Sequence, residues 1–291
     1  MQSAAECYPC FLNQTIKTAR LSTNDPRRLK ALLDEVASYL QFHPFNVVPP
    51  VLSEDIYRII TRETGAADPY RELKRRCIRQ ALRLYPEVKK RVAASPDPLR
   101  AAIQAALAGN VIDFGVKEEF DMAADVADLL DRIPVIDHYR DFQTGLARAG
   151  RILYLGDNAG ETVFDRILIE ALDRPVDYAV RSAPIINDAL AEDARASGLS
   201  ALARIVESGC GTPGIVLPRT SPEFRRLFRA ADLIISKGQG NYEALSESGR
   251  PIFFLLKVKC EVVARHTGAP KGSLALISQR LRKKTSRARE K

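Results

Sequence analysis

The spacing of apolar residues divides the chain into a helical first half and an alternating second half. Between about residues 24 and 149, apolar residues recur every three or four positions, which predicts amphipathic helices. Turn signals such as Asp68-Pro69 separate these helices. The predicted helices are Asp25–Leu40, Glu54–Thr64, Pro69–Leu84, Pro98–Leu107 and Asp121–Asp131.

After Gly150 the pattern changes to short apolar runs that alternate with helical stretches, as in βα units around a parallel sheet. We therefore predict an α/β protein, in which an all-helical subdomain (1–149) precedes a Rossmann-like, mostly parallel sheet domain (150–279). The predicted strands are Arg151–Leu155, Val176–Val180, Ala203–Val206, Leu233–Ile235 and Ile252–Leu256.

The charge of the chain is concentrated at one end. Seven Lys or Arg against Glu290 alone give residues 280–291 a charge of +6, which leaves +2 of the total +8 for the rest. The body therefore has no strong basic character, and we expect nucleic acid to bind, if at all, only through this basic tail, which we predict to be disordered.

No apolar run approaches the roughly 20 residues that a membrane helix needs, and the first residues do not have the pattern of a secretory signal. Five cysteines is an odd number, which favours reduced thiols over a disulfide framework. We expect a cytoplasmic protein with no membrane partner.

Polar residues follow four of the predicted strands. Because ligands of open α/β sheets bind beyond the carboxyl ends of the strands, these residues are candidates for one site. The segments are Gly156-Asp157-Asn158-Ala159-Gly160-Glu161, Arg181 with Pro184-Ile185-Ile186-Asn187-Asp188, Lys237-Gly238-Gln239-Gly240-Asn241-Tyr242-Glu243, and Lys257-Val258-Lys259-Cys260.

Asp157, Asn158 and Asp188 are the oxygen ligands that hard divalent cations take, with water and phosphate completing the coordination. The alternative is that either aspartate caps a helix and that Asn158 occupies a turn. Lys237 stands before two glycines that permit close backbone approach, which suits a phosphate cradle, although it could equally be a solvated lysine. Neither a Walker A loop nor a Gly-x-Gly-x-x-Gly loop is present.

At these segments the sequence resembles the damage-control phosphatases, also known as domain of unknown function 89. Three further segments resemble its prokaryotic branch with a CxxC motif: Cys7-Tyr8-Pro9-Cys10, Asp68-Pro69-Tyr70 with Lys74, and the segment from Gly109 to Gly115. The resemblance extends to about Lys271. It implies a helical part packed on an α/β domain, a divalent metal ion (Mn, Mg, Co or Ni), and hydrolysis of phosphate monoesters of small metabolites, damaged ones included, such as sugar phosphates.

Carried over by residue, the resemblance makes Asp157, Asn158 and Asp188 the metal ligands. We add Asp157 and Glu161 as catalytic residues, although Glu161 could simply be a first-turn glutamate. The attacking group is either Asp157 itself or a water assisted by a carboxylate. The residues assigned to phosphate or substrate binding are Lys237, Gly238, Asn241, Lys257, Arg181 and Asn110, with Asp113 as a further candidate for the pocket wall.

Two questions stay open in the sequence. Cys7 and Cys10 are half of a zinc site, a redox pair or packed thiols without chemistry. The alternative to a phosphatase is a non-catalytic module that binds a phosphorylated ligand or RNA. The paired aspartates favour the phosphatase, because an anion site without a cation would not place them near phosphate.

Overall fold

A computed structural model describes residues 1–43, 46–110, 128 and 130–279 of the chain. Within these residues the helices are α1 (Cys7–Ala19), α2 (Pro26–Gln41), α3 (Pro49–Thr64), α4 (Arg71–Ala93), α5 (Pro98–Gly109), α6 (Tyr139–Arg148), α7 (Thr162–Leu172), α8 (Ala191–Ala196), α9 (Pro222–Ala230), α10 (Gly238–Leu245) and α11 (Glu261–Thr267). The strands are β1 (Ile136–Asp137), β2 (Ile152–Leu155), β3 (Val176–Val180), β4 (Arg204–Glu207), β5 (Leu233–Lys237), β6 (Ile252–Lys257) and β7 (Leu274–Gln279).

Local signals explain where several helices start. The Asp25 carboxylate accepts a hydrogen bond from the Arg27 amide at 2.9 Å, and Pro26 occupies the first turn of α2. The Asp97 carboxylate caps α5 in the same way through the Arg100 amide. Helix α3 begins at Pro49, before the predicted start at Glu54, because proline is tolerated in a first turn.

Four predicted helices are present with shifted ends, and α1 was not predicted. Helix α4 starts at Arg71 and continues through Pro86 to Ala93, beyond the predicted end at Leu84. The predicted helix Asp121–Asp131 lies mostly outside the described residues, as does the basic tail.

The seven strands form one sheet in the order β1-β7-β6-β5-β2-β3-β4. Strands β2 to β6 are mutually parallel, whereas β7 pairs antiparallel to β6 and β1 pairs parallel to β7. The Rossmann-like, mostly parallel fold is thus confirmed. All five predicted strands are present; Val176–Val180 has the predicted ends, and the ends of the other four differ by at most two residues.

Strands β1 and β7 were not predicted. The Ile136–Asp137 pair lies inside the segment predicted to be all helical, and that detail of the prediction is wrong. Two residues are too few to show an alternating pattern, and they extend only because β7 supplies their hydrogen bonds. The boundary at residue 149 stays a prediction.

Helices cover both faces of the sheet. Successive side chains of a strand point to opposite sides, so one strand contributes to two cores. Ile152 and Tyr154 of β2 pack in one core with residues of α4, α5 and α7. Leu153 and Leu155 pack in a second core with residues of α9, α10 and α11. Helices α1, α2 and α3 enclose a separate apolar cluster. In the described part of the chain, no helix combines the length and the apolar character needed to cross a membrane.

Candidate active site

The candidate residues of β2 and β5 lie where the order of the strands reverses. From β2 the chain proceeds to β3 and β4 on one side of the sheet and then returns to β5 on the other. Loops that leave two such neighbouring strands in opposite directions open a crevice, and ligands of α/β proteins bind there. Asp157 follows β2 and Gly238 follows β5, so both residues stand at this crevice.

The loop after β3 is bonded to the loop after β2. Asn158 and Asp188 form an isolated antiparallel bridge. The Ala189 amide donates to the Asp157 carbonyl at 2.8 Å, and the Ala159 amide donates to the Asn187 carbonyl at 2.9 Å. These bonds bring the three predicted metal ligands together on two adjacent loops.

Two asparagine amides link Asp157 to Glu161. Asn110 donates through Nδ2 to Asp157 Oδ2 at 3.3 Å and to Glu161 Oε1 at 2.6 Å. Asn158 donates to the same two oxygens at 3.2 and 2.5 Å. The side-chain oxygen Oδ1 of Asn110 in turn accepts from the Lys257 amide at 3.1 Å. Asn110, at the end of α5, therefore ties the helical half of the chain to the loops after β2 and β6.

Lys237 is completely buried beneath these residues, and its ammonium faces carboxylates. Its Nζ donates to Glu161 Oε2 at 2.9 Å and to Asp165 Oδ1 at 2.6 Å. The hydroxyls of Tyr154 and Tyr178 also donate to Asp165, each at 2.7 Å. Every member of this network is satisfied, which makes it a rigid support for the loop above. A direct contact between Lys237 and phosphate stays a prediction.

Arg181 lies between the two aspartates. Its Nε donates to Asp188 Oδ2 at 2.8 Å, and one terminal nitrogen is 3.8 Å from Asp157 Oδ1. Asn241 accepts from Arg181 at 3.3 Å and donates to the Gly156 carbonyl at 3.0 Å. Asn241 thus connects α10 to the loop after β2.

Several acidic side chains lie close together in the site, and this arrangement shifts their pKa values. Burial, followed by the Glu161 and Asp188 carboxylates, raises the pKa of Asp157 well above its usual value. Burial also raises the pKa of Asp188, although Arg181 opposes this shift. For Lys237, burial alone would lower the pKa, but Asp165 and Glu161 outweigh it and raise the pKa.

A comparison with known proteins identifies the family of this chain. A family model described as the damage-control phosphatase ARMT1-like domain matches residues 3–275, which is nearly all of the chain. The chain belongs to this family of damage-control phosphatase ARMT1-like proteins. The resemblance that the sequence motifs indicated is confirmed.

Relatives in this family match over almost their full lengths. A damage-control phosphatase of Pyrococcus horikoshii is 34% identical over 289 residues, covering 97% of this chain and 100% of the relative. One from Archaeoglobus fulgidus is 33% identical over 288 residues, covering 94% and 98%. The crystal structure of a DUF89 family protein from P. horikoshii has a TM-score of 0.90 and covers 96% of this chain and 100% of its own. These names support a phosphatase role.

The buried acidic side chains of the site outnumber the buried basic ones, which suits the binding of a divalent cation. Four buried carboxylates (Asp157, Glu161, Asp165 and Asp188) meet two buried cations (Lys237 and Arg181), so the ionised cluster carries an excess of two negative charges. Asp157 Oδ1, Asp188 Oδ1 and the Asn158 side-chain oxygen accept no hydrogen bond from the described residues. These oxygens remain available to a hard cation.

The number of ligands that the protein itself supplies is small. Among residues 1–43, 46–110, 128 and 130–279, no three His, Cys, Asp or Glu side chains are grouped as a metal site. Two aspartates and one asparagine amide are nonetheless enough for a site in which water and phosphate supply the other ligands. The donor set therefore fits Mg²⁺ or Mn²⁺ better than a cation that needs a full protein cage.

Gly238 has a steric reason to be glycine. Its φ is +78°, and a Cβ atom at this position would lie 1.9 Å from Asp157 Oδ2. The Asp157 carboxylate is therefore packed directly against the start of α10.

Lys259 is the residue of this site that the sequence reasoning missed. It is exposed, and its amide donates to Gln239 Oε1 at 2.9 Å. Its positive charge lowers the pKa of both Asp157 and Asp188, against the upward shift that burial causes. The Lys257-Val258-Lys259 spacing was a usable signal, because alternate residues beyond a strand end can face one side. Asp165 was also missed, although an acid among the apolar residues of α7 is a recognisable sign.

Two other predictions have different outcomes. Asp113 lies outside the described residues. Cys7 and Cys10 are free thiols on the first turn of α1, and burial raises the pKa of each. Zinc binding at this pair stays a prediction.

Proposed function

We propose that this protein is a metal-dependent phosphatase that hydrolyses phosphate monoesters of small metabolites such as sugar phosphates. The observation that carries the proposal is the set of four buried carboxylates against two buried cations at the crevice between β2 and β5. Uncompensated buried charge is costly, and a bound divalent cation would balance it. The names of the relatives support the same chemistry.

Asp157, Asn158 and Asp188 would hold the cation, which would neutralise phosphate charge and orient the phosphoryl group. Lys257 and Lys259 would contact the phosphate oxygens from the rim of the site, and Arg181, between the two aspartates, would contact the substrate. Glu161 accepts hydrogen bonds at both of its oxygens, so in our proposal it positions Asn110, Asn158 and Lys237.

Asp157 is our proposed catalytic carboxylate. Its Oδ1 accepts no hydrogen bond from the described residues and would contact the cation, while Oδ2, which the two asparagine amides hold, would act as nucleophile or assist an attacking water. Quenching during turnover followed by reduction with sodium borohydride separates these routes. A covalent aspartyl phosphate is reduced, which converts Asp157 to homoserine, whereas direct attack by water leaves Asp157 unchanged.

The activity itself is tested with metal-free protein and p-nitrophenyl phosphate. We expect release of p-nitrophenol that depends on added Mn²⁺, Mg²⁺, Co²⁺ or Ni²⁺, followed by turnover of a panel of triose, pentose and hexose monophosphates. Absence of any metal-stimulated release would favour the alternative of a phospho-ligand binding module.

A further inference from the structure

Within the described part of the chain, three buried donor atoms on α3, on α4 and in the loop after β3 make no hydrogen bond. They are the Tyr57 hydroxyl on α3, Lys74 Nζ on α4 and one terminal nitrogen of Arg181. Buried donors are nearly always satisfied in folded proteins, so three on one side of a candidate active site require an explanation. A ligand that binds there would supply the missing acceptors.

Tyr57 reaches this position through packing. It is 5% exposed and forms a small apolar cluster with Tyr70 and Ile185. The Ile185 carbonyl accepts from the Asp188 amide at 3.1 Å, so Tyr57 packs against the turn that presents Asp188. Burial, followed by the charge of Asp68, raises the pKa of Tyr57, and the phenol is therefore a protonated donor at neutral pH.

Lys74 lies between two carboxylates on the same side of the site. Its Nζ is 2.9 Å from Asp68 Oδ2 and 3.2 Å from Asp193 Oδ2, in both cases without hydrogen-bond geometry. Asp193 Oδ2 also accepts from the Leu190 amide at 3.0 Å, two residues after Asp188. The first turn of α4 is therefore joined to the loop that carries Asp188.

The charges on this side indicate the kind of group that binds. Asp68 and Asp193 flank Lys74, Asp188 pairs with Arg181, and the negative charges of these carboxylates would repel a phosphate. A neutral hydroxyl can instead accept a hydrogen bond from Tyr57 and donate one to Asp68. The phosphate then belongs on the opposite side, where Lys257 ends β6 and Lys259 follows it.

We infer that Tyr57, Lys74 and Asp68 form a subsite for hydroxyl groups on the organic part of the substrate. This inference rests on the proposed phosphatase function and specifies a polyhydroxylated phosphate monoester as the substrate class. The proposed metal ligands Asp157 and Asp188 are about as buried as Tyr57, so the low exposure of Tyr57 is compatible with a position in the site. Tyr57 is in this view a specificity-determining residue.

The test is Tyr57→Phe, with Tyr70→Phe as the matched control. Tyr70 belongs to the same apolar cluster and is 7% exposed, but its hydroxyl bonds with Gln14 and Thr18 at 2.8 and 3.2 Å. The readout is the ratio of kcat/KM for the best sugar phosphate of the panel to kcat/KM for p-nitrophenyl phosphate, whose leaving group has no hydroxyl. We expect Tyr57→Phe to lower this ratio about tenfold, the effect of one lost hydrogen bond.

Thermal stability gives an independent readout. Removing an unpartnered buried hydroxyl leaves nothing unsatisfied, so Tyr57→Phe should keep or raise the Tm of the ligand-free protein. Tyr70→Phe should lower the Tm and leave the kcat/KM ratio unchanged.

Several results would overturn the inference while the phosphatase function stood. One is a wild-type enzyme that hydrolyses p-nitrophenyl phosphate but no sugar phosphate of the panel. Another is a Tyr57→Phe variant with an unchanged ratio, or with a lowered Tm and equal losses on both substrates, which would assign the hydroxyl to the structure alone. Absence of metal-stimulated turnover of p-nitrophenyl phosphate would instead reject the proposed function.

Discussion

Two buried lysines of this protein, Lys237 and Lys74, each lie between two carboxylates, yet their surroundings differ. Lys237 makes hydrogen bonds to Glu161 and Asp165. Lys74 faces Asp68 and Asp193 at similar distances without hydrogen-bond geometry. A completed network rigidifies a scaffold, whereas an incomplete one leaves capacity for a ligand. We therefore regard the Lys237 region as support for the site and the Lys74 region as part of its binding surface.

The largest effect is expected at Lys237. Lys237→Met leaves Glu161 and Asp165 buried without their cation, so we expect a loss of about 3–5 kcal/mol in the free energy of unfolding. Denaturant unfolding measures it. Asp165→Asn in the Lys237→Met background removes one unpaired buried charge and should recover part of the lost free energy of unfolding. A double-mutant cycle measures this recovery. An unfolding free energy that hardly changes in Lys237→Met would contradict the scaffold assignment.

The second prediction concerns Asp188. Asp188→Asn should reduce metal-dependent kcat/KM by roughly 10²-fold or more, because it removes a charged ligand from the proposed cation site. Calorimetric titration with Mn²⁺ should show weaker binding by the folded variant. Asp177→Asn is the control, since Asp177 lies on β3 but pairs with Arg204 at 2.7 Å away from the site. Unchanged Mn²⁺ affinity in Asp188→Asn would remove Asp188 from the site.

The third prediction is that Mn²⁺ stabilises the folded protein. A cation that balances the excess negative charge binds only the folded state, so a concentration of 100 times Kd should add about 2.7 kcal/mol. Thermal denaturation with and without Mn²⁺ measures the rise in Tm. Asp157→Asn should abolish this rise, and a rise that persists in the variant would place the cation elsewhere.

The smallest effect is expected at Tyr178. Its hydroxyl donates to the buried Asp165 carboxylate, and bonds to charged groups contribute about 1.5–3 kcal/mol. We expect the stability loss in Tyr178→Phe to lie near the lower end of this range, because Tyr154 still donates to Asp165. The ring contact between Tyr154 and Tyr178 is retained in this variant. Equal stability changes in Tyr178→Phe and Tyr57→Phe would remove the distinction between the two regions.

The sequence by itself determined most of the elements and the residue types of the site. Five strands and four helices follow from local apolar patterns, and Asp157, Asn158 and Asp188 stand at strand ends where ligands bind in such folds. These features were predictable because they depend on neighbours in the chain.

Only the tertiary structure decided which charged side chains are in contact. Lys237 and Asp165 are separated by 72 residues, and no local pattern pairs them. Strand β1 extends because β7 lies beside it, and Tyr57 approaches Asp188 because α3 packs on the loop after β3. Each of these contacts joins distant parts of the chain, and burial then sets its strength by excluding water.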